Sequence, residues 1–292
     1  MPLLSVLWGV ALLSLISLSL LNTTATSRRI AQNTLDAAQA EALAEAAVVR
    51  AAVGLADARP NSRWRSGRRE RIRLADVDII IVAQDELGRI DLNLADPALL
   101  HGLLRAIGVE GKPAEALVAA ITEWRSPGGG SSGGGSSSDA HAAGLLARHG
   151  AFQSVDELRL VPGVTSSLYE RLAPALTVYS QRQNVDPQLA PKAVLTGLPG
   201  MTAEQVVALL SRRDQNPSMT TAIPDLKGRA FSVSIELTRS VKKRRYEAVI
   251  RFTDDPDKLF WLLHWREIPG FPREADTTPV GPGPAQQSYL AG

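Results

Sequence analysis

The 292-residue chain contains no cysteine, which excludes disulfides and thiolate metal sites. Histidine is scarce: only His101, His141, His149 and His264 occur, and no pair has the spacing of a zinc motif. The formal net charge is +2, so there is no global electrostatic case for nucleic acid or for an acidic substrate. A Walker-type glycine loop is missing, and no serine sits in a nucleophile elbow. Asp91 and Asp96 lie close in sequence, but the pattern places them on different elements. No catalytic residue is expected.

Charge is also missing from the start of the chain: none occurs between Met1 and Ser27. Leu3 to Leu21 forms an apolar run close to the roughly 20 residues a helix needs to cross a bilayer. A cleaved secretory signal fits poorly. Nothing positive precedes the run, its length exceeds an apolar core of about 7–15 residues, and no small-x-small site follows. Residues 1–27 therefore read as a transmembrane segment. Arg28 and Arg29 follow it, and their charge weakly favours that side as cytoplasmic.

What is present changes period along the chain. Leu35, Ala38, Ala42, Ala46, Val49 and Val53 step by three or four and predict a helical face on the globular domain, ending near Gly54 and Pro60. With the apolar span they make one helix of roughly 50 residues. "VDIIIVAQ" reads as a strand and "DELG" as a hairpin turn into "RIDLNL". Arginines 63, 65, 68, 69, 71 and 73 read as a solvated edge guarded by charge. Asp96-Pro97 caps a helix carrying Leu99, Leu100, Leu103, Leu104 and Ile107, and Lys112-Pro113 opens another. The Gly/Ser tract from Gly128 to Ser138 reads as a flexible loop, with a helix near His141 to His149 beyond it. The period then returns to two: Phe231, Val233, Ile235 and Leu237 alternate with polar residues, and "RRYEAVIRF" and "LFWLLHWREI" complete an antiparallel meander. The tail from Pro269, rich in proline and glycine, reads as disordered.

Two Pro-Gly helical hairpins, "VPGVTSSLYERL" and "LPGMTAEQVVALL", resemble the helix-hairpin-helix unit that presents backbone N–H groups to a phosphate. Thr165 and Thr202 stand where the second glycine of that unit belongs, and a threonine there caps the next helix instead. The hairpins therefore read as structural, with Leu160, Val164 and Leu168 buried. Glu123 and Asp139 flank the Gly/Ser tract as weak metal candidates, too few for an ion that takes six to eight oxygens.

The order and spacing of these blocks resemble the type II secretion minor pseudopilin K family, also called general secretion pathway protein K. The blocks are "LLSVLWGVALLSL", "RWRSGRRERIRLADVDIIIVAQDELGRIDLN", "AITEWR", "SVDELRLVPGVTSSLYERLAPALTVYS" and "APKAVLTGLPGMTAEQVVALLSRR". The resemblance covers Met1 to about Glu267, with the Asp-Glu-x-Gly turn at Asp85 to Gly88 and Leu92-Asn93 inside it. It implies an α+β, pilin-like fold: a long N-terminal helix on an antiparallel sheet, with a large inserted α-helical domain containing helix-hairpin-helix or SAM-like hairpins. The expected boundaries are 1–27 transmembrane, 28–92 pilin-like helix and first strands, and 93–180 helical insert. Residues 181–268 are expected to hold the second hairpin and meander, and 269–292 the disordered tail.

The resemblance further implies a non-enzymatic role at the tip of the secretion pseudopilus, starting its assembly and supporting export across the outer membrane. The alternative is a membrane-anchored helix-hairpin-helix protein that binds DNA. The implied partners are minor pseudopilins I and J, also H, the prepilin peptidase and inner-membrane lipid, with no nucleic acid. The globular part would be periplasmic on a single inner-membrane span, against the charge of Arg28 and Arg29. Leu3, Leu4, Ser5, Leu7 and Trp8 belong to the implied membrane and assembly helix. Pilin-like proteins carry a glutamate at mature position five that can neutralise a neighbour's N-terminal amine. Ser5 stands there, which suits a subunit with none ahead of it. Family members often bind calcium in an acidic loop after the tryptophan. Here the Gly/Ser tract replaces that loop, and no cofactor is expected.

The resemblance implies a basic leader, cut after a glycine, upstream of Met1. Cleavage after Gly9 would leave only about 12 apolar residues from Val10, short of a span. N-terminal sequencing of protein made from the native locus should therefore show a mature chain starting at Met1 once such a leader is removed. A chain starting at Val10 contradicts this.

Overall fold

The computed structural model describes residues 2–57, 67, 69–74, 76–126, 149–215 and 226–268, with side chains at 2, 3, 5, 16–26 and 214 outside the description. Helix α1, Pro2–Ala56, runs 55 residues, about 80 Å at 1.5 Å per residue. The strands β1 (Arg69–Leu74), β2 (Val77–Asp85), β5 (Ala230–Arg239), β6 (Lys242–Phe252) and β7 (Phe260–Ile268) form one antiparallel sheet in the order β1-β2-β5-β6-β7. Between the adjacent strands β2 and β5 the chain leaves the sheet. It builds β3 (Ile90–Asp91), α2 (Pro97–Ala106), α3 (Lys112–Arg125), α4 (Ser166–Leu172), β4 (Leu176–Thr177), α5 (Lys192–Gly197) and α6 (Ala203–Gln215).

The meander forms as its period predicts. Phe231, Val233, Ile235 and Leu237 of β5 turn toward α1 together with Tyr246, Ala248 and Ile250 of β6. The "DELG" stretch departs from the expectation. It is a 3-10 turn, Glu86–Gly88, capped by Asp85, whose side chain accepts from the Leu87 N–H at 2.9 Å. It does not form a hairpin, because β1 and β5 already occupy both edges of β2. Instead β3 pairs in parallel with β4 as a two-stranded sheet inside the insert.

The face of α1 that meets the sheet also departs from expectation. Ala44, Ala47, Val48, Ala51, Ala52 and Leu55 are buried there, while Leu35, Val49 and Val53 are half exposed. Alanine lets a helix sit close on a pleated surface, so the small residues take the buried face. The turn joining β5 and β6 meets α1 near its middle: Lys242 donates to Asp36 at 2.9 Å and Arg239 to Gln39 at 3.2 Å. Residues 27–35 are exposed and precede that contact. The insert leaves from the opposite end of the sheet, where Asp85 is registered against Phe231.

A second core holds the insert. Leu100, Leu103 and Leu104 of α2 pack with Leu117 and Ile121 of α3, Leu172 of α4, and Val194 and Leu195 of α5. Both helical hairpins share this core. Their turns require glycine, since Gly163 and Gly200 have φ of 85° and 77°. The first hairpin enters through a 3-10 segment, Val155–Leu160, rather than an α-helix. That changes which side chains point inward. Leu158 and Val161 are buried and Val164 and Leu168 partly so, whereas Leu160 is 54% exposed, against expectation. Helices α2 and α5 cross at two glycines, and a Cβ on Gly102 would lie 1.9 Å from the Gly197 carbonyl oxygen.

Leu158→Ala should therefore cost about 2–5 kcal/mol of stability, and Leu160→Ala less than about 0.5 kcal/mol, in denaturant unfolding of the chain. Gly102→Ala should cost more than about 2 kcal/mol in the same measurement, because the helices must separate.

Candidate functional site

Two features are exposed or positioned as if for work: the outer face of α1 and the junction that fixes the insert on the sheet. On α1, Leu35, Val49 and Val53 form an apolar stripe on the side away from the sheet. Nearer the start, Leu4, Leu7 and Trp8 project outward, Trp8 at 71% exposure. The Leu3 and Ser5 side chains lie outside the described residues. Among the described residues, no helix is long and apolar enough to cross a membrane.

At the junction, polar groups clamp the insert in place. Arg266 on β7 grips Glu247 on β6 through two nitrogens, at 2.9 and 2.6 Å, and also pairs with Asp156 of the insert. The Tyr169 hydroxyl donates to the other Asp156 oxygen. Burial alone would raise the Asp156 pKa, but the bonds from Tyr169 and Arg266 outweigh it and hold this carboxyl below the ordinary range. Burial and the Asp156 carboxylate together push the Tyr169 hydroxyl up. Nearby, Arg251 donates to the Tyr179 carbonyl at 3.0 Å and Gln84 to the Leu189 carbonyl at 2.9 Å.

The "RIDLN" block has a structural reason. Asp91 is buried, and its carboxylate accepts from Asn93 N–H, Leu94 N–H, the Ser180 hydroxyl and Gln181 N–H. Asn93 exchanges two bonds with Phe152, at 2.7 and 3.0 Å. Asp96 caps α2 as expected, accepting from Ala98 N–H at 2.8 Å. Both acids thus serve the fold, Asp91 as a buried acceptor and Asp96 as a helix cap. Asp85, buried beside Arg229, serves the same purpose, and its burial raises its pKa against the pull of that arginine.

The hairpins use their threonines as caps. Thr165 accepts from Leu168 N–H at 3.2 Å, and Thr202 and Gln205 close a reciprocal capping box. Those N–H groups are therefore taken. Glu123 is exposed, and Asp139 lies outside the described residues. Among the described residues, no group of three or more His, Cys, Asp or Glu stands ready to hold a metal.

The fold is thus a long N-terminal helix on a five-stranded antiparallel sheet, with a helical insert between the sheet's second and third strands. Residues 83–181, about a third of the chain, match the family described as "Type II secretion system (T2SS), protein K". Among solved structures, the fold is similar to a chain of the GspK-GspI-GspJ complex from the enterotoxigenic Escherichia coli type 2 secretion system. The TM-score is 0.59 and the identity 16%, over 82% of this chain and 99% of that one. No curated protein matches the chain. Nothing local in the sequence signals the Arg266 clamp, whose two partners, Glu247 and Asp156, lie 19 and 110 residues away.

The clamp should weaken in acid. Because the folded Asp156 pKa is lowered, its contribution is present above the ordinary carboxylate pKa of about 3.9 and is lost as pH falls through the lowered folded value. Thermal unfolding between pH 7 and pH 2 should show this acid-labile component in the parent and not in Asp156→Asn.

Proposed function

We propose that the protein is the minor pseudopilin at the tip of the type II secretion pseudopilus, where it starts assembly and supports export across the outer membrane. The observation that carries the reading is the family match across the strand exit and the insert, on a fold similar to a chain of the GspK-GspI-GspJ complex. In this reading residues 1–27 anchor the chain in the inner membrane by a single pass and the globular part is periplasmic. The role is structural and involves no catalysis. The insert sits at the end of the sheet opposite the turn that meets the middle of α1, so it blocks a further subunit from stacking beyond it. Proteins I and J are the partners, with H and the prepilin peptidase acting at other stages. The outer stripe of α1 gives their helices an apolar face to pack on. DNA binding is disfavoured, since Thr165 and Thr202 occupy the N–H groups a phosphate would need.

The test is co-purification of the full-length protein with its cognate proteins I and J from membranes. Both should come down with the parent. Val49→Asp combined with Val53→Asp should abolish this and change stability by less than about 0.5 kcal/mol per site, because both side chains are half exposed. Failure of the parent to retain either protein contradicts the reading.

A further inference from the structure

The junction between insert and sheet encloses a cleft of about 280 Å³ that the pilin-like architecture does not account for. Its walls come from both sides: Asp156 and Tyr179 from the insert, Glu247, His264 and Arg266 from the sheet. Glu86, at the strand exit, lines it too and is only 1% exposed. The Glu86 Oε1 accepts from Arg89 at 3.1 Å, but the Oε2 is buried and has no hydrogen-bond donor. A buried carboxylate oxygen without a donor is uncommon and calls for a missing partner.

The charge balance says what kind. Three carboxylates, Glu86, Asp156 and Glu247, line the cleft with two guanidinium groups, Arg89 and Arg266, so acidic groups outnumber basic ones along its walls. Asp156 engages both oxygens and Glu247 its Oε2, so Glu86 Oε2 is the buried carboxylate oxygen of the cleft that lacks a donor. The phenol of Tyr179 is pushed up first by burial and then by Glu86 and Glu247. On β7 the register slips opposite Val249 and Ile250, and this bulge sets His264 against Val249, where it joins the lining.

We propose that this cleft binds one alkylammonium group, with Glu86 Oε2 as its buried acceptor and Tyr179 and His264 beside it. A guanidinium needs two coplanar acceptors, and Glu86 and Glu247 each already have one oxygen engaged, so the compact ammonium is the better fit. No group of three potential metal ligands forms among the described residues, which argues against a divalent ion. The ammonium could come from a lysine side chain of another protein or from a free diamine. The proposal stands on the cleft alone and does not depend on the pseudopilus reading.

Full-length protein in detergent micelles should be titrated with N-acetyl-lysine amide, with putrescine and, as an uncharged control, with N-acetyl-norleucine amide, followed by calorimetry. Saturable binding of either amine with a dissociation constant of about 1 mM, and none of the control, is expected. Glu86→Gln should weaken it at least about tenfold, and Tyr179→Phe, which leaves the clamp intact, severalfold. Binding of the lysine amide names a protein side chain as the source, and binding of putrescine alone names a free amine. Silence from both amines, or an equal response to the control, overturns the proposal and leaves a cleft that holds water only. If Glu86→Gln does not fold, unchanged binding in Tyr179→Phe overturns it as well.

Discussion

The turn at Asp85 holds two structures together. Here one strand ends, a buried ion pair with Arg229 closes, and the chain commits to a separate helical core. A Cβ on Gly88 would lie 2.3 Å from the Leu189 carbonyl oxygen, so the returning segment packs directly on the turn. Asp186 N–H donates to the Leu87 carbonyl at 2.8 Å and closes the contact from the other side. Burying Asp85 costs desolvation, and removing Arg229 would leave that charge uncompensated. The insert is seated as firmly as this turn permits, and the Arg266 clamp then fixes its tilt.

Much of this was legible from local chemistry. The meander showed itself because alternation is a local signal, and the caps at Asp96, Thr165 and Thr202 because each depends on residues two or three positions away. The face of α1 was misassigned for a physical reason. An alanine-rich helix is apolar on more than one side, and periodicity cannot say which side a sheet will take. Leu160 was misplaced because a helical period was applied to a 3-10 segment, where three residues make a turn. The hairpin expected at "DELG" failed because the sheet's other strands lie far along the chain and fill both edges of β2.

The junction was not legible. Arg266, Glu247 and Asp156 are unremarkable charged residues in sequence, and only the fold brings them within reach of one another. The same holds for the cleft they frame. A surplus carboxylate is visible only after every pair around it has been assigned. Sequence resemblance gave the family and its partners as expectations, whereas the electrostatics of the junction are properties of this chain's own geometry.

The placement of the insert between two adjacent strands also bears on the order in which the protein folds. Asp85 and Arg229 are 144 residues apart, a long loop to close before β2 can find β5. Arg213 donates to the Ala190 carbonyl at 2.7 Å, so a folded insert brings its own end back to the segment that covers the strand exit. Only about 16 residues then remain to be closed, roughly three halvings of loop length, which lowers the entropic cost by about 2 kcal/mol. A folded insert is thus the scaffold on which the sheet completes itself.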